Sequence, residues 1–188
     1  MTFYLTPYVS KSLCRCNPSI DWMHCETTVD TRATWRESWR ALERAYAEGR
    51  VLSIGVSNFN LALLEELRVN VATVLPHLVQ NWAEPGNTDR AVRAWCDQYQ
   101  VLYQPYAPLR NLRFLPTEVR RNLQSIAERH QTTEQAVTLR FFLQTGAVVI
   151  PRSCSWVHLQ ENLITVQFSL TGQELELLGW SEKLSKLL

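Results

Sequence analysis

Polar or aromatic side chains recur directly after short apolar runs of this 188-residue sequence. Parallel α/β proteins hold their ligands at this place, beyond the C-terminal ends of their strands. The spacing therefore predicts a small-molecule site assembled from several strand ends. The side chains concerned are Ser57, Asn58, Gln80, Tyr106, Arg152 and Ser153. Ser57 and Asn58 also suit a plain strand exit and helix N-cap, because both residue types favour those positions.

A second group able to do chemistry comprises Cys14, Cys16, His24 and Cys25, which could supply the four soft ligands of a zinc ion. Their spacing fits no common zinc motif, so we expect no metal site. The chain has five cysteines in total, an odd number without a framework spacing. This usage is typical of a reducing compartment and predicts free thiols.

Composition limits the class of protein. With 46% hydrophobic and 20% charged residues, the chain is long enough for one buried core and too short for two ordinary domains. A formal net charge of +1, without charge blocks, argues against a nucleic-acid or anionic-membrane partner. The sequence contains no run of 18 apolar residues and no secretory signal pattern. We therefore expect a cytoplasmic protein whose partners are small molecules.

Hydrophobic periodicity predicts strands that alternate with amphipathic helices. The predicted strands are 51–56, 75–80, 101–106 and 147–150, with a short one at 4–5 in an otherwise irregular segment 1–30. The predicted helices are 35–48, 61–69, 89–99, 118–130, 136–144 and 155–162, followed by a terminal helix after residue 171. Capping boxes, in which Thr is followed three residues later by Glu or Gln, begin at Thr34, Thr132 and Thr171.

The alternation indicates βα units in a parallel sheet, arranged either as a barrel or as a doubly wound sheet. A glycine-rich dinucleotide turn would favour the doubly wound fold, and a phosphate loop would favour a nucleotide triphosphatase. The chain has only six glycines and contains neither motif. Alternation alone leaves the two architectures open.

Three segments resemble the aldo-keto reductase family. Gly49-Arg-Val-Leu-Ser-Ile-Gly-Val-Ser-Asn-Phe59 is similar to the family strand that reads Ile-Gly-Val-Ser-Asn-Phe. Tyr106-Ala-Pro-Leu109 looks like the family's Tyr-Ser-Pro-Leu. Val149-Ile-Pro-Arg-Ser153, followed by Glu161-Asn162, resembles its Ile-Pro-Lys-Ser and Glu-Asn signature. The matches keep the family's order and spacing over residues 31–188.

The resemblance implies an α/β fold and, more specifically, a partial TIM (β/α)8 barrel over residues 31–188. This part would hold about the last four βα units plus a C-terminal helix. The family also implies NADP(H) as the cofactor, with NAD as an alternative, and a small carbonyl compound as the substrate. No nucleic-acid or membrane partner is expected, and the open barrel edges predict self-association.

The resemblance also assigns roles to single residues. Ser57, Asn58 and Gln80 would hydrogen-bond the nicotinamide carboxamide, and Tyr106 would stack on the nicotinamide ring. The residues that would contact the adenosine phosphates and the adenine end are Arg152, Ser153, His158, Glu161 and Asn162. A guanidinium suits this role because it can bind phosphate with two parallel hydrogen bonds.

Several positions depart from the family pattern. His158 stands where the family commonly has the arginine that pairs with the 2′-phosphate. Ala107 replaces a common serine, and Trp82 and Glu84 replace the usual glutamate and histidine. The catalytic Asp, Tyr and Lys of the family have no counterpart here, and His24, the one candidate for its histidine, has a different sequence context. We therefore expect no catalytic residue in this chain.

Three interpretations follow from the sequence. The first is an NAD(P)H-dependent reductase of aldehydes or ketones by family, inactive as this chain alone. The second is a nucleotide-binding or interaction module without catalysis, which pairs its barrel edges with another copy. The third is a truncated or alternatively started form without a stable fold.

Overall fold

The structure is a computed structural model that describes the backbone of residues 2–5 and the whole of residues 34–180. Cys14, Cys16, His24 and Cys25 lie outside these described residues, as does the end of the predicted terminal helix. The chain divides into two compact units, Met1–Pro76 and His77–Leu188. In the described part, no helix is long and apolar enough to cross a membrane.

The described residues of the first unit form two parallel, hydrogen-bonded strands and two helices. They are β1 (Thr2–Leu5), α1 (Trp35–Ala47), β2 (Ser53–Ser57) and α2 (Leu61–Glu66), and α2 continues into a π-helical turn (Leu67–Val71). β2 is buried from its second residue onward, as its nearly unbroken apolar run predicts. The strand predicted at residues 4–5 is confirmed and begins two residues earlier.

The predicted capping box fixes the start of α1. Thr34 caps the helix through its side chain, and the Glu37 carboxylate accepts a hydrogen bond of 2.7 Å from the Thr34 backbone N–H. Trp39 then points into the core and is fully buried, and Trp35 packs edge-on against Phe59 at 5.3 Å between ring centroids. The helix thus covers the segment that follows β2.

The second unit, as far as residue 180, contains a parallel strand pair and five helices. They are β3 (Leu78–Trp82), α3 (Arg90–Gln98), β4 (Leu102–Tyr106), α4 (Thr117–Arg129), α5 (Glu134–Gln144), α6 (Trp156–Ile164) and α7 (Gly172–Leu177). A short 3₁₀ turn at Leu112–Phe114 precedes α4. The core of the second unit consists of side chains that are less than 4% exposed, among them Val79, Trp95, Leu123, Ile126, Leu139, Phe141 and Phe142.

The strand predicted at 147–150 is wrong. One backbone hydrogen bond, from the Val148 N–H to the Tyr103 carbonyl at 2.9 Å, holds this segment beside β4. Val148 and Ile150 are each 40% exposed, so the described residues cover this side of the segment only in part. A strand needs a ladder of bonds to its neighbour, and one bond does not make a ladder.

The capping box predicted at Thr132 is wrong by one residue. The Thr132 N–H is committed to the end of α4, where it donates to the Ala127 carbonyl at 3.0 Å. Thr133 therefore becomes the N-cap of α5, and its hydroxyl accepts from the Ala136 N–H at 3.1 Å. This shift places Glu134 in the first turn, where a negative charge suits the helix dipole.

The expectation of free thiols holds at Cys96 and fails at Cys154. Cys96 is a free thiol, fully buried on α3, and burial raises its pKa to about 12. Cys154 lies on an exposed loop and is disulfide-bonded, so it is not a free thiol.

A buried carboxylate secures α7. Glu174 is 1% exposed and accepts hydrogen bonds from the Thr171 N–H at 2.8 Å and from Arg129 at 2.8 Å. The imidazole of His130 lies 3.1 Å from the same carboxylate. Burial alone would raise the pKa of Glu174, but the hydrogen bonds from Thr171 and His130 outweigh it and lower the pKa to about 2.

This depressed pKa predicts acid-sensitive stability. The ionised Glu174 stabilises the fold above about pH 4.5, and this contribution disappears as the pH falls towards 2. Replacing Glu174 by Gln should therefore lower the free energy of unfolding by about 2–3 kcal/mol at pH 7. The loss should shrink in urea titrations repeated at successively lower pH.

Glu176→Gln is the matched control, because Glu176 is exposed on the same helix. We expect that variant to change stability by less than about 0.5 kcal/mol at any pH. Equal losses in the two variants would contradict the role of the Glu174 hydrogen bonds.

Candidate functional site

The register of β3 and β4 sorts their side chains onto two faces of the pair. Gln80 is opposite Gln104 and Trp82 is opposite Tyr106, so these four side chains share one face. The intervening residues, Asn81 among them, project from the opposite face. Because both strands run in the same direction, Trp82 and Tyr106 lie together at their C-terminal ends. The first face therefore carries two predicted site residues, Gln80 and Tyr106.

Gln80 and Gln104 form a direct side-chain pair on this face. The Gln80 Nε2 donates a hydrogen bond of 2.7 Å to the Gln104 Oε1. Gln104 is 7% exposed, whereas Gln80 is only half-buried. The sequence reasoning did not select Gln104. The period-2 alternation of β4 could have found it, because Gln104 lies two residues before Tyr106 and thus on the same face.

The end of β4 adopts an unusual backbone conformation. Ala107, directly after Tyr106, has a backbone φ of 51°, a value that residues other than glycine and asparagine seldom adopt. Such a residue costs about 1–2 kcal/mol and turns the chain sharply away from the strand. Tyr106 is therefore the last residue on the strand face, beside the partly exposed Trp82.

The opposite face of the pair carries a buried polar cluster. The Asp89 carboxylate accepts hydrogen bonds of 2.8 Å from the Asn81 amide on β3 and from the Tyr103 hydroxyl on β4. Arg93, which is 2% exposed, donates to the Thr145 carbonyl at 2.6 Å. The Arg93 guanidinium also lies 4.2 Å from the ring centroid of Trp180.

Burial governs the ionisation of this cluster. It raises the pKa of Asp89 and of Tyr103 and lowers the pKa of Arg93. Tyr103 is thereby held as a neutral phenol, whose hydroxyl donates a hydrogen bond to Asp89. Tyr103 is 4% exposed, and the cluster braces the strands behind the face that carries Gln80 and Tyr106.

Glu84 follows β3 in a tight turn closed by two backbone hydrogen bonds of 3.0 Å with Asn87. The Asn111 side chain hydrogen-bonds the Glu84 carboxyl, and burial raises the pKa of this group. Its Oε2 is buried without a hydrogen-bond partner in the described part of the chain. Gly86, in the same turn, has a φ of 83° and packs against Val119, where a side chain would meet Val119 at 3.0 Å.

The residues predicted for the adenosine end lie on and before α6. Arg152 is exposed, and the hydroxyl of Ser153 accepts a hydrogen bond of 3.0 Å from the Ser155 N–H just before the helix. The N-cap residue Ser155 makes no side-chain cap bond, so the first turn of α6 keeps donor N–H groups for another acceptor. His158, Glu161 and Asn162 follow at helical spacings of three and four residues and share one side of α6.

The two remaining predicted residues belong to the first unit, at the C-terminal end of β2. Ser57 is 8% exposed, and Asn58 has a φ of 60°. The interpretation of this pair as a helix N-cap is wrong, because Asn60 caps α2 by accepting from the Leu63 N–H at 2.9 Å. Ser57 and Asn58 thus end the strand without capping the helix.

The described residues contain no group of three or more His, Cys, Asp or Glu side chains arranged to hold a metal ion. The structure brings Gln80 and Tyr106 onto one face of β3 and β4, and it places His158, Glu161 and Asn162 together on α6. The chemistry of these groups is hydrogen bonding, aromatic stacking and anion binding. Such a set suits a nucleotide better than a metal or an acyl intermediate.

Comparisons with known proteins agree with this geometry. A sequence model of the Aldo/keto reductase family matches residues 18–179. Glyoxal reductase of Bacillus subtilis is 34% identical over 142 residues, which are 76% of this chain and 50% of that protein. Aldose reductase B of Dictyostelium discoideum is 32% identical over 143 residues, 75% of this chain and 45% of that protein. The chain thus spans about half the length of these relatives.

Solved structures show the same fold. The aldo/keto reductase of Brucella melitensis superposes with a TM-score of 0.66 at 33% identity, covering 76% of this chain and 53% of that one. A mutant of Gox0644 in complex with NADPH gives a TM-score of 0.68 at 34% identity, covering 76% of this chain and 51% of that one. The predicted fold class, an α/β chain forming part of a TIM barrel, is confirmed.

Proposed function

We propose that this chain, which belongs to the aldo/keto reductase family, binds NADPH. It would provide the cofactor-binding side of an enzyme that reduces aldehydes or ketones. One observation carries the proposal. Gln80 and Tyr106 lie on one face of two adjacent parallel strands, at or near their C-terminal ends. A carboxamide and a phenol ring in this arrangement match the carboxamide and the ring of nicotinamide.

The nicotinamide end of the proposed site uses hydrogen bonding and stacking. Gln80 offers its carboxamide to the carboxamide of the cofactor, and Tyr106 offers its ring to the nicotinamide face. For Ser57 and Asn58, which follow one another at the end of β2 in the first unit, the family resemblance alone supports a hydrogen bond to a carboxamide. The proposed role of Gln80 and Tyr106 is to orient the ring.

At the adenosine end of the proposed site, positively charged groups would attract the phosphates of the cofactor. Arg152 and Ser153 precede the first turn of α6, whose unsatisfied N–H groups and positive dipole end favour a phosphate. A guanidinium adds a bidentate contact to the same anion. His158, Glu161 and Asn162 supply the side chains for the 2′-phosphate and the adenine along one side of the helix.

The proposed chemistry is hydride transfer from the nicotinamide C4 to a carbonyl carbon, with a proton added to the carbonyl oxygen. Relatives named for glyoxal and aldose reduction make small aldehydes the first substrate class to test. The residues of this chain bind and orient the cofactor. We assign the proton donor to none of them, because the family's catalytic Asp, Tyr and Lys have no counterpart in the sequence and the Tyr103 hydroxyl donates its hydrogen bond to Asp89.

The second candidate function is a nucleotide-binding module that associates with another copy of itself and performs no reduction. The surface of α6 favours this candidate, because no residue of the helix is buried and Trp156 and Leu163 are 72% and 71% exposed. Apolar side chains of this size at one surface are typical of protein contacts. NADPH binding without aldehyde-dependent oxidation would distinguish this candidate from the first.

The proposal is tested by NADPH titration followed by fluorescence, together with NADPH oxidation in the presence of glyoxal. We expect saturable binding by the 188-residue chain. Tyr106→Phe should keep the affinity, because the ring remains, and Tyr106→Ala should weaken it about five- to tenfold. The control is Phe114→Ala, which removes a ring that is 72% exposed on the 3₁₀ turn Leu112–Phe114 and belongs to neither strand. Equal affinity in all variants would refute the proposed stacking role of Tyr106.

The identity of residue 158 predicts weak discrimination between NADPH and NADH. His158→Arg should strengthen NADPH binding about tenfold and leave NADH binding nearly unchanged, because a guanidinium forms charge-assisted hydrogen bonds to the 2′-phosphate. The measurement is the ratio of the two dissociation constants. Gln160→Arg is the matched control, since it adds the same charge on a different side of α6. An equal gain in both variants would mean that the helix attracts anions without recognising the 2′-phosphate.

A further inference from the structure

The side-chain pair formed by Gln80 and Gln104 has a direction. A carboxamide has an acceptor oxygen on one side and a donor NH₂ group on the other. The bond from the Gln80 Nε2 to the Gln104 Oε1, at 2.7 Å, occupies the nitrogen side of Gln80. Its Oε1 makes no hydrogen bond in the described part of the chain. Gln80 therefore presents an acceptor, and a ligand at this face must supply a donor.

Gln104 is suited to hold this direction. It is 7% exposed and lies directly opposite Gln80 in the strand register. The Asp89 cluster joins β3 to β4 on the opposite face of the pair. Gln80 is less buried and, without a partner, could rotate its terminal amide freely. Tyr106 lies two residues beyond Gln104 on the same face, about 7 Å along the strand. The oriented amide and the aromatic ring thus belong to one surface.

We infer that Gln104 is a positioning residue, which fixes the carboxamide of Gln80 so that its Oε1 accepts a hydrogen bond from the NH₂ group of a nicotinamide carboxamide. This inference rests on the proposed function and adds a selectivity to it. The site distinguishes a carboxamide from a methyl ketone of the same shape. Ordering Gln80 before the ligand arrives also removes a side-chain entropy cost from binding.

The test uses NADP⁺ and its 3-acetylpyridine analogue, which keeps the carbonyl oxygen and replaces the NH₂ group by a methyl group. We expect the wild-type chain to bind NADP⁺ about three- to tenfold more tightly than the analogue, the range for one neutral hydrogen bond. In Gln104→Met this ratio should fall to within about twofold of unity. Gln124→Met, which alters an exposed glutamine of α4, should keep the wild-type ratio.

A double-mutant cycle separates positioning from general damage. Gln80→Met should also lose the preference, and the variant with both substitutions should lose no more than either single variant. A preference that persists in Gln104→Met, or is absent from the wild-type chain that binds both nucleotides, would overturn the inference and leave the proposed function standing. If the wild-type chain binds neither nucleotide, the proposed function fails and the inference fails with it.

A measurement on the wild-type chain keeps the inference testable if Gln104→Met does not fold. The side-chain NH₂ signals of Gln80 can be identified by their loss in the Gln80→Met spectrum. In the free protein they should exchange with solvent at least several-fold more slowly than those of the exposed Gln124. Equal exchange rates would show that Gln104 does not hold the amide, and the inference would be wrong.

Discussion

The parallel pairing of β3 with β4 is the constraint on which the candidate site depends. Its register decides which side chains share a face, and it places Gln80 beside Gln104 and Trp82 beside Tyr106. A slip of one residue would send these groups to opposite faces of the pair. The hydrogen bonds that Asp89 accepts from Asn81 and Tyr103 join the two strands on the far side and oppose such a slip. Under the proposed function, packing and ligand binding are thus divided between the two faces.

The two faces of the strand pair carry different polar groups: charged side chains on the packed face and neutral amides on the other. Behind the strands, Asp89 and Arg93 are charged groups taken out of water, and their hydrogen bonds and aromatic neighbours offset the cost of burial. On the site face, Gln80 and Gln104 are neutral, so they direct a ligand at little cost in desolvation. This division fits a cofactor ring that is oriented by neutral groups and held by its phosphates.

The sequence predicted the elements whose signals are local. The capping boxes at Thr34 and Thr171 are confirmed, and the strands that end near Gln80 and Tyr106 occur within two residues of their predicted ends. Features that depend on distant neighbours were missed. The segment 147–150 has strand composition but lacks a ladder of bonds, and Thr132 is used by the preceding helix. Period-2 alternation would have placed Gln104 on the face of Tyr106. Its pairing with Gln80 and the contacts of Asp89 depend on strand register, which a single sequence does not reveal.

The central claim is that one face of β3 and β4, together with the start of α6, binds NADPH. Its most direct test is a map of backbone and side-chain NMR shifts of the ¹⁵N-labelled chain as NADPH is added. The account predicts saturable shifts at Gln80, Gln104, Tyr106 and residues 152–158, with little change at the exposed end of α4. Saturable shifts confined to other surfaces, or no shifts at millimolar NADPH, would contradict it.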